Sequence, residues 1–307
     1  VQVWFQARWQ EAGVFRRGDL RPGDRIVGPA IIVEAASTVV LEPGWEAELT
    51  ERDDLVLTDQ AEPAKAERSG PDVDAIQLEL FNNRFASIAE QMGAQMQKTA
   101  LSTNVKERLD FSCALFDPAG NLVVNAPHIP VHLGAMSECV RRIMADDSDL
   151  RSGDVIVTND PYRGGSHLPD VTVVTPVFDG AGSRILFFVA SRAHHAEIGG
   201  VTPGSMPPSS RTLEEEGVVI RGFRLIRGGR MDEAGLREIL LRGPYPSRAI
   251  RENIADINAQ LAANRMGVEQ LAGLVERCGL DGVHAYMTHI QRAAENKMRA
   301  ALLKIPE

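Results

Sequence analysis

Cysteine is scarce in this 307-residue sequence: Cys113, Cys139 and Cys278 are far apart, odd in number, and form no Cys-x-x-Cys pair. Neither a zinc ribbon nor a disulfide scaffold is supported, and a reducing, cytosolic setting is expected. Aromatic residues make up 5% of the chain, too few for base-stacking surfaces. Positive charge is in deficit. With 33 Lys and Arg against 42 Asp and Glu, the formal net charge is −9, which argues against a general nucleic-acid binder. Long apolar runs are missing too; stretches such as residues 185–190 fall far short of the roughly 20 residues a membrane helix needs. No Walker loop is present and no Gly-x-Gly-x-x-Gly opens a helix, so a nucleotide site within these residues has no support. What remains is an ordinary globular composition, 44% hydrophobic and 24% charged, sufficient for one large domain or two ordinary ones.

Residues 1–58 read as β-rich. Short apolar runs at 1–5, 26–27, 30–34 and 38–41 are separated by Arg21-Pro22-Gly23-Asp24, Gly28-Pro29 and Glu42-Pro43-Gly44. Residues 59–72 are polar, with Pro, Ala and Gly, and are expected to be a linker. A helix is expected next, because Leu78, Phe81, Phe85, Ile88, Met92 and Met96 recur at spacings of three and four. The runs 110–116 and 122–125 flank Asp117-Pro118-Ala119-Gly120 as a hairpin would. A helix over 132–144 and strands at 155–158, 171–178 and 185–191 follow. The last 60 residues carry helical spacing in Ile250, Ile254, Ile257 and Leu261, then in Val283, Met287, Ile290 and Ala294. The expected fold class is α+β: a small β-rich N-terminal unit, then a mixed α/β-strand domain with a helical C-terminal end.

Five of the seven histidines, His128, His132, His167, His194 and His195, fall within residues 128–195. One cluster is Asn159-Asp160-Pro161-Tyr162-Arg163-Gly164-Gly165-Ser166-His167-Leu168-Pro169-Asp170. The other is Ser191-Arg192-Ala193-His194-His195-Ala196-Glu197-Ile198-Gly199-Gly200. Each lies at a strand end, where a fixed scaffold presents reactive groups. Each also holds a His with a carboxylate three residues on. Imidazole with carboxylate suits Zn, Mn or Fe(II), and three such ligands leave positions open for water or substrate. The bland alternative is loop-backbone hydrogen bonding. His194 and His195 point to opposite faces if the strand continues, so one of the two at most joins His167. Gly164-Gly165 and Gly199-Gly200 either frame an anion or carbonyl pocket or are simple turns. The charge run from Lys106 to Asp110 reads as a solvated helix end, Cys113 as a buried strand residue, and Glu214, Glu215 and Glu216 as surface. His284 and His289, five apart in a helix, do not share a face.

The stretches NDPYRGGSHLPDVTVVTPVF and ASRAHHAEIGGVTPGSMPP resemble the hydantoinase B/oxoprolinase family. LFNNRFASIAEQMG, STNVKERLDFSCALFDPAGNLVVNAPHIPVHLGAM and GLDGVHAYMTHIQ extend the resemblance. LRPGDRIVGPAIIVEAASTVVLEPGW is similar to the extreme C-terminal region of the hydantoinase A half. The implied organisation is 1–58 as the C-terminal piece of an A-like half, 59–72 as linker and 73–307 as the N-terminal part of a B domain. The chain is then an internal piece of a protein several times longer.

The A-then-B order resembles the oxoprolinase branch, which implies ATP-dependent opening of the lactam 5-oxo-L-proline to L-glutamate. ATP would phosphorylate the carbonyl oxygen to make it a good leaving group, water would attack the activated carbon, phosphate would depart, and the ring C–N bond would break with a proton passing to the nitrogen. ATP and Mg belong to the A half, so this chain alone is expected to bind neither. For the B half the resemblance implies a divalent metal, Mn or Zn, on His167, Asp170 and His194. Glu197, where the family motif more often has Asp, and Asp160 are candidates to complete or orient that shell. His132 and His195 are candidates for proton transfer to the departing nitrogen, and Glu197 is counted with them as a catalytic candidate. Expected partners are a small lactam or cyclic imide, the rest of the A half and, for the full protein, further copies of itself. Nucleic acid and membrane are not expected. The alternatives are an N-substituted hydantoin hydrolase and a non-catalytic module that docks the nucleotide-binding half.

Overall fold

Short apolar runs broken by Pro and Gly turns cannot sustain long helices, and the regular structure of the first 60 residues is eight short strands with one 3-10 turn. The computed structural model describes residues 1–5, 8–60, 74–126, 129–204 and 206–305. The chain divides into two compact units, Val1–Glu67 and Arg68–Glu307. In the first, β1 (Gln2–Phe5) and β2 (Arg8–Glu11) pair antiparallel, with Trp4 opposite Trp9 and their rings edge-on at 5.5 Å. There follow β3 (Gly13–Arg16), β4 (Arg25–Val27), β5 (Ala30–Val33), β6 (Thr38–Leu41), β7 (Trp45–Leu49) and β8 (Leu55–Asp59). β5 pairs with β3 in parallel and with β6 antiparallel, while β7 lies antiparallel between β4 and β8. Ile26, Ala30, Ile32, Leu41 and Ala47 are its core. Sequence reading missed β2 and β7, which interleave charged residues with apolar ones, and β3 and β8, whose two- and three-residue apolar runs are flanked by polar residues. β8 reaches Asp59, the first residue of the stretch expected as linker; residues 61–72 of that stretch lie outside the described residues.

The second unit opens with α1 (Ala75–Thr99), started by Asp74, whose carboxylate accepts from Ile76 N at 3.0 Å. Its buried face is the one the spacing predicts: Phe81, Phe85, Ile88, Met92 and Met96, each contributing roughly 2 kcal/mol by burial. Then come α2 (Thr103–Lys106), β9 (Phe111–Phe116), β10 (Leu122–Ala126), α3 (Pro130–Leu133) and α4 (Ala135–Asp146). The single helix expected over 132–144 is thus two, meeting at Gly134, the weakest helix former of the stretch. β11 (Val155–Thr158), β12 (Asp170–Phe178) and β13 (Ile185–His194) lie where strands are expected, β13 running three residues further. α5 (Leu213–Glu216), β14 (Phe223–Arg227), β15 (Arg230–Met231) and α6 (Glu233–Leu240) were not foreseen. α7 (Ile250–Cys278) and α8 (Leu280–Leu302) close the chain.

The strands form one antiparallel sheet in the order β10-β9-β13-β12-β11-β14-β15. Both faces are covered. Cys113 and Leu115 of β9 and Phe187 and Val189 of β13 pack with α1, α7 and α8, whereas Ala114, Phe116, Phe188 and Ala190 pack with Met136, Cys139, Val140 and Ile143 of α4. A strand sandwiched in this way is covered on both faces, which is why all six residues of β9, Ser112 included, are buried. Burial pushes the Cys113 thiol up, so it is inert. The fold class is α+β. Among the described residues, no helix is long and apolar enough to cross a membrane.

Candidate metal centre

Residues opposite one another in an antiparallel ladder share a face. In the long β12–β13 hairpin Asp170 stands opposite His194, and two rungs inward Thr172 stands opposite Arg192. On the far side of β13, Arg192 stands opposite Ser112, and the His194 main-chain N–H donates to Asp110 O at 2.9 Å. Asp170, Thr172, Arg192, His194 and Ser112 therefore lie on the face that α4 covers further along. The loop entering β12 folds back over this end and adds His167.

Three ligand atoms converge there. His167 Nε2 is 3.0 Å from Asp170 Oδ1 and 3.1 Å from His194 Nδ1, and His194 Nδ1 is 2.9 Å from the same Oδ1. The group has the donor types and spacing of a metal site. Two imidazole nitrogens and a carboxylate oxygen so placed would be able to hold a divalent ion, which would polarise a carbonyl or lower the pKa of a bound water. The His167 side chain is 30% exposed and that of Asp170 1%, so the open side faces His167.

Burial alone would raise the Asp170 pKa. Hydrogen bonds from His132, His167, His194 and Ser166 override it and hold the carboxyl far below its usual range. The same contact with Asp170, opposed by partial burial and assisted by the charges of Asp110 and Glu216, raises the His167 pKa. The second Asp170 oxygen accepts from Ser166 Oγ and lies 3.4 Å from His132 Nε2. His132 is fully buried, with Nδ1 3.0 Å from Ser112 Oγ. It stands behind Asp170, on the side of the carboxylate away from His167 Nε2 and His194 Nδ1.

The remaining sequence candidates lie elsewhere. His195 turns to the opposite face, as alternation requires, and is fully buried against α7. Glu197 does not reach the cluster. Its Oε2 accepts from Ser247 Oγ at 2.9 Å and from Arg248 N and Ala249 N at 3.0 Å, at the entry to α7, while Oε1 accepts from Gly199 N. Asp160 turns its carboxylate to Tyr162 N, from which Oδ1 accepts at 3.0 Å, and to Arg221 Nε, 3.4 Å from Oδ2. His284 is near Leu186 O on α8, and His128 lies outside the described residues. At both glycine pairs the backbone packs closely against other backbone. A Cβ at Gly164 (φ +83°) would sit 2.2 Å from Cys139 N, and one at Gly199 (φ +88°) 2.4 Å from Tyr245 O, so both serve close backbone packing.

Sequence reading missed three contributors. Arg192, fully buried, donates from Nε to Thr172 Oγ1 at 2.8 Å and from Nη2 to Gly164 O at 2.6 Å, fixing the His167 loop. Asn159 clamps the same loop, donating to Leu168 O at 2.7 Å and to Val218 O at 2.9 Å. Asp110, at the end of the charge run read as solvated, follows Leu109 in the left-handed region (φ +56°) and bonds the His194 main chain. Its position two residues before Ser112 was the available signal. A cavity of 1210 Å³ beside β14, β15 and α6, lined by arginines including Arg227 and Arg230, contains none of the triad.

A seven-stranded antiparallel sheet with two imidazoles and a carboxylate gathered at one end of β12 and β13 defines a protein of the hydantoinase B type. Residues 74–307 match the hydantoinase B/oxoprolinase family, and residues 1–58 the hydantoinase/oxoprolinase C-terminal domain. The chain belongs to the hydantoinase B/oxoprolinase family. It is similar to 5-oxoprolinase 1 of Arabidopsis thaliana, 45% identical across 99% of this chain and 25% of that protein. It is also similar to 5-oxoprolinase of Saccharomyces cerevisiae, 42% identical across 100% of this chain and 24% of that protein. The chain thus spans about a quarter of the length of these relatives. Among solved structures, the ATP-dependent caprolactamase from Pseudomonas jessenii matches with a TM-score of 0.68 at 30% identity, over 76% of this chain and 40% of that one. Nucleotide-free acetone carboxylase shares the fold, with a TM-score of 0.64 at 17% identity, over 71% of this chain and 28% of that one.

Proposed function

We propose that this chain is part of an ATP-dependent cyclic amide hydrolase that opens 5-oxo-L-proline to L-glutamate, and that His167, Asp170 and His194 hold its divalent metal. Residues 1–58 then end the nucleotide-binding half, residues 59–72 link, and residues 73–307 begin the hydrolytic half. ATP and Mg are assigned to the remainder of the polypeptide, and the expected setting is cytoplasmic. The observation that carries the metal assignment is the triangle of ligand atoms with edges of 2.9–3.1 Å.

Both nitrogens and the hard oxygen fit Mn or Zn. Bound there, such an ion supplies Lewis acidity toward a carbonyl or a water of lowered pKa. The protein's own residues do the rest. Asp170 presents Oδ1 to the centre while Ser166 and His132 fix Oδ2. Arg192 and Asn159 keep the His167 loop closed over the strand ends, and the exposed side of His167 leaves room for a lactam ring. A different ring is the second reading, favoured by the likeness to caprolactamase, although identity to the oxoprolinases is higher.

Metal analysis of the complete polypeptide and of its His167→Ala variant tests the assignment. They should differ by about one ion per chain. An Ala variant that keeps its metal would show the triad is not the site.

A further inference from the structure

Helix α7 carries Asn253, Asp256, Gln260 and Asn264 on one stripe, and each is no more than 1% exposed. A polar group so buried costs about 1–3 kcal/mol if left unpaired, so the partners of each reveal its role. Gln260 Nε2 donates to Val171 O and to Ser191 O, both at 3.0 Å. Val171 directly follows Asp170 on β12, and Ser191 lies three residues before His194 on β13. With its nitrogen committed to two carbonyls, the amide turns its Oε1 to His195 Nε2, 3.3 Å away, which is the donor. His195 is itself tied to the other loop, its main-chain N–H donating to Pro169 O at 2.8 Å.

We infer that Gln260 is a positioning residue for the metal triad. One amide holds β12 and β13 together immediately behind Asp170 and His194 and anchors the residue next to each through its backbone or through His195. A relative slip of the two strands would separate Oδ1 of Asp170 from Nδ1 of His194, and Gln260 opposes that slip from the face of the sheet away from the site. His195 thereby acts as a link between α7 and the ligand loops. The inference rests on the metal reading above.

Asn264 supplies an internal control. Its Nδ2 bridges the same strands deeper in the sheet, 3.0 Å from Val173 O and 3.4 Å from Val189 O. Loss of either amide removes a similar interaction; only Gln260 lies at the level of the ligands. The experiment is a Mn titration of the metal-stripped complete polypeptide, comparing wild type, Gln260→Met and Asn264→Met, with unfolding followed in parallel. Both variants should be destabilised. Gln260→Met should weaken Mn binding by roughly 10–100-fold, the range for groups that orient metal ligands, while Asn264→Met should stay within about twofold of wild type. Should Gln260→Met not fold, Gln260→Glu keeps the length and an oxygen for His195, and it should weaken binding in the same direction. Wild-type affinity in the Gln260 variants, or equal weakening in Asn264→Met, overturns the inference. A wild type that takes up no metal fails earlier and overturns the metal reading together with it.

Discussion

The segments 167–170 and 194–197 carry the same pattern, a His with a carboxylate three residues later at a strand end, yet they end up with different work. Asp170 is the first residue of β12, so the ladder fixes it opposite His194 and turns it toward His167. Glu197 stands three residues past the end of β13. No ladder holds it there, and it swings to the entry of α7, where free N–H groups and the positive end of the helix attract a carboxylate. The difference teaches that spacing along the chain specifies a metal pair only when the sheet register holds both members.

Deleting each carboxylate in the complete polypeptide should divide the two effects. Asp170→Ala removes the oxygen shared by both histidines, and metal content should fall to near zero. Glu197→Ala leaves the amides of Gly199, Arg248 and Ala249 without their acceptor, which should cost about 3 kcal/mol of stability while the ion stays bound. Elemental analysis beside denaturant unfolding reads both. If Glu197→Ala empties the site as completely as Asp170→Ala, the two loops are not functionally distinct.

Acid and base should act on the first loop through Asp170 and His167. The depressed pKa of Asp170 means that its carboxylate stabilises the metal-free fold above the ordinary value of about 3.9, and that this is lost only as pH falls through the lower folded value. His167 has the opposite sign. Its raised pKa gives stability that is complete below about 6.5 and disappears as pH rises through the folded value. A metal needs the neutral imidazole, so affinity should climb with pH across that same interval, by up to about tenfold per pH unit. Competition titrations near neutrality measure the slope. Glu197→Gln should leave it unchanged, whereas a flat profile in the wild type would remove His167 from the ligand set.

Much of the fold was legible because its signals are local. The three-and-four spacing of Phe81, Phe85, Ile88, Met92 and Met96 fixes α1 and its buried face, and Asp117 to Gly120 marks the β9–β10 hairpin. Alternation along β13 separates His194 from His195 without coordinates. The support of the site was not legible, because it is made of distant partners. Arg192 carries no local sign of burial, and it is buried where Thr172, Ser166 and Gly164 meet its donors. Gln260 reads as a polar position on an amphipathic helix, and its two acceptors lie 89 and 69 residues away in sequence. Glu197 shows the reverse error, a local pattern with a distant partner that overrides it.

The smallest expected effect concerns Asp160, which the sequence placed beside Glu197 as a possible completing ligand. Its Oδ1 caps the turn Pro161–Arg163 by accepting from Tyr162 N, and its main-chain oxygen accepts from Arg163 N and Gly165 N, both at 3.0 Å. The other carboxylate oxygen lies 3.4 Å from Arg221 Nε, and the Arg221 side chain is 69% exposed. Asp160→Asn preserves the capping oxygen and gives up one solvent-screened pair, from which Arg221 can swing into water. The change should cost no more than about 1 kcal/mol. Metal content should equal that of the wild type, since neither the turn nor the position of His167 depends on the charge. A ligand could not be exchanged so cheaply: a fall in metal content approaching that of Asp170→Ala would place Asp160 in the coordination shell and make the first loop, by itself, the source of three ligands.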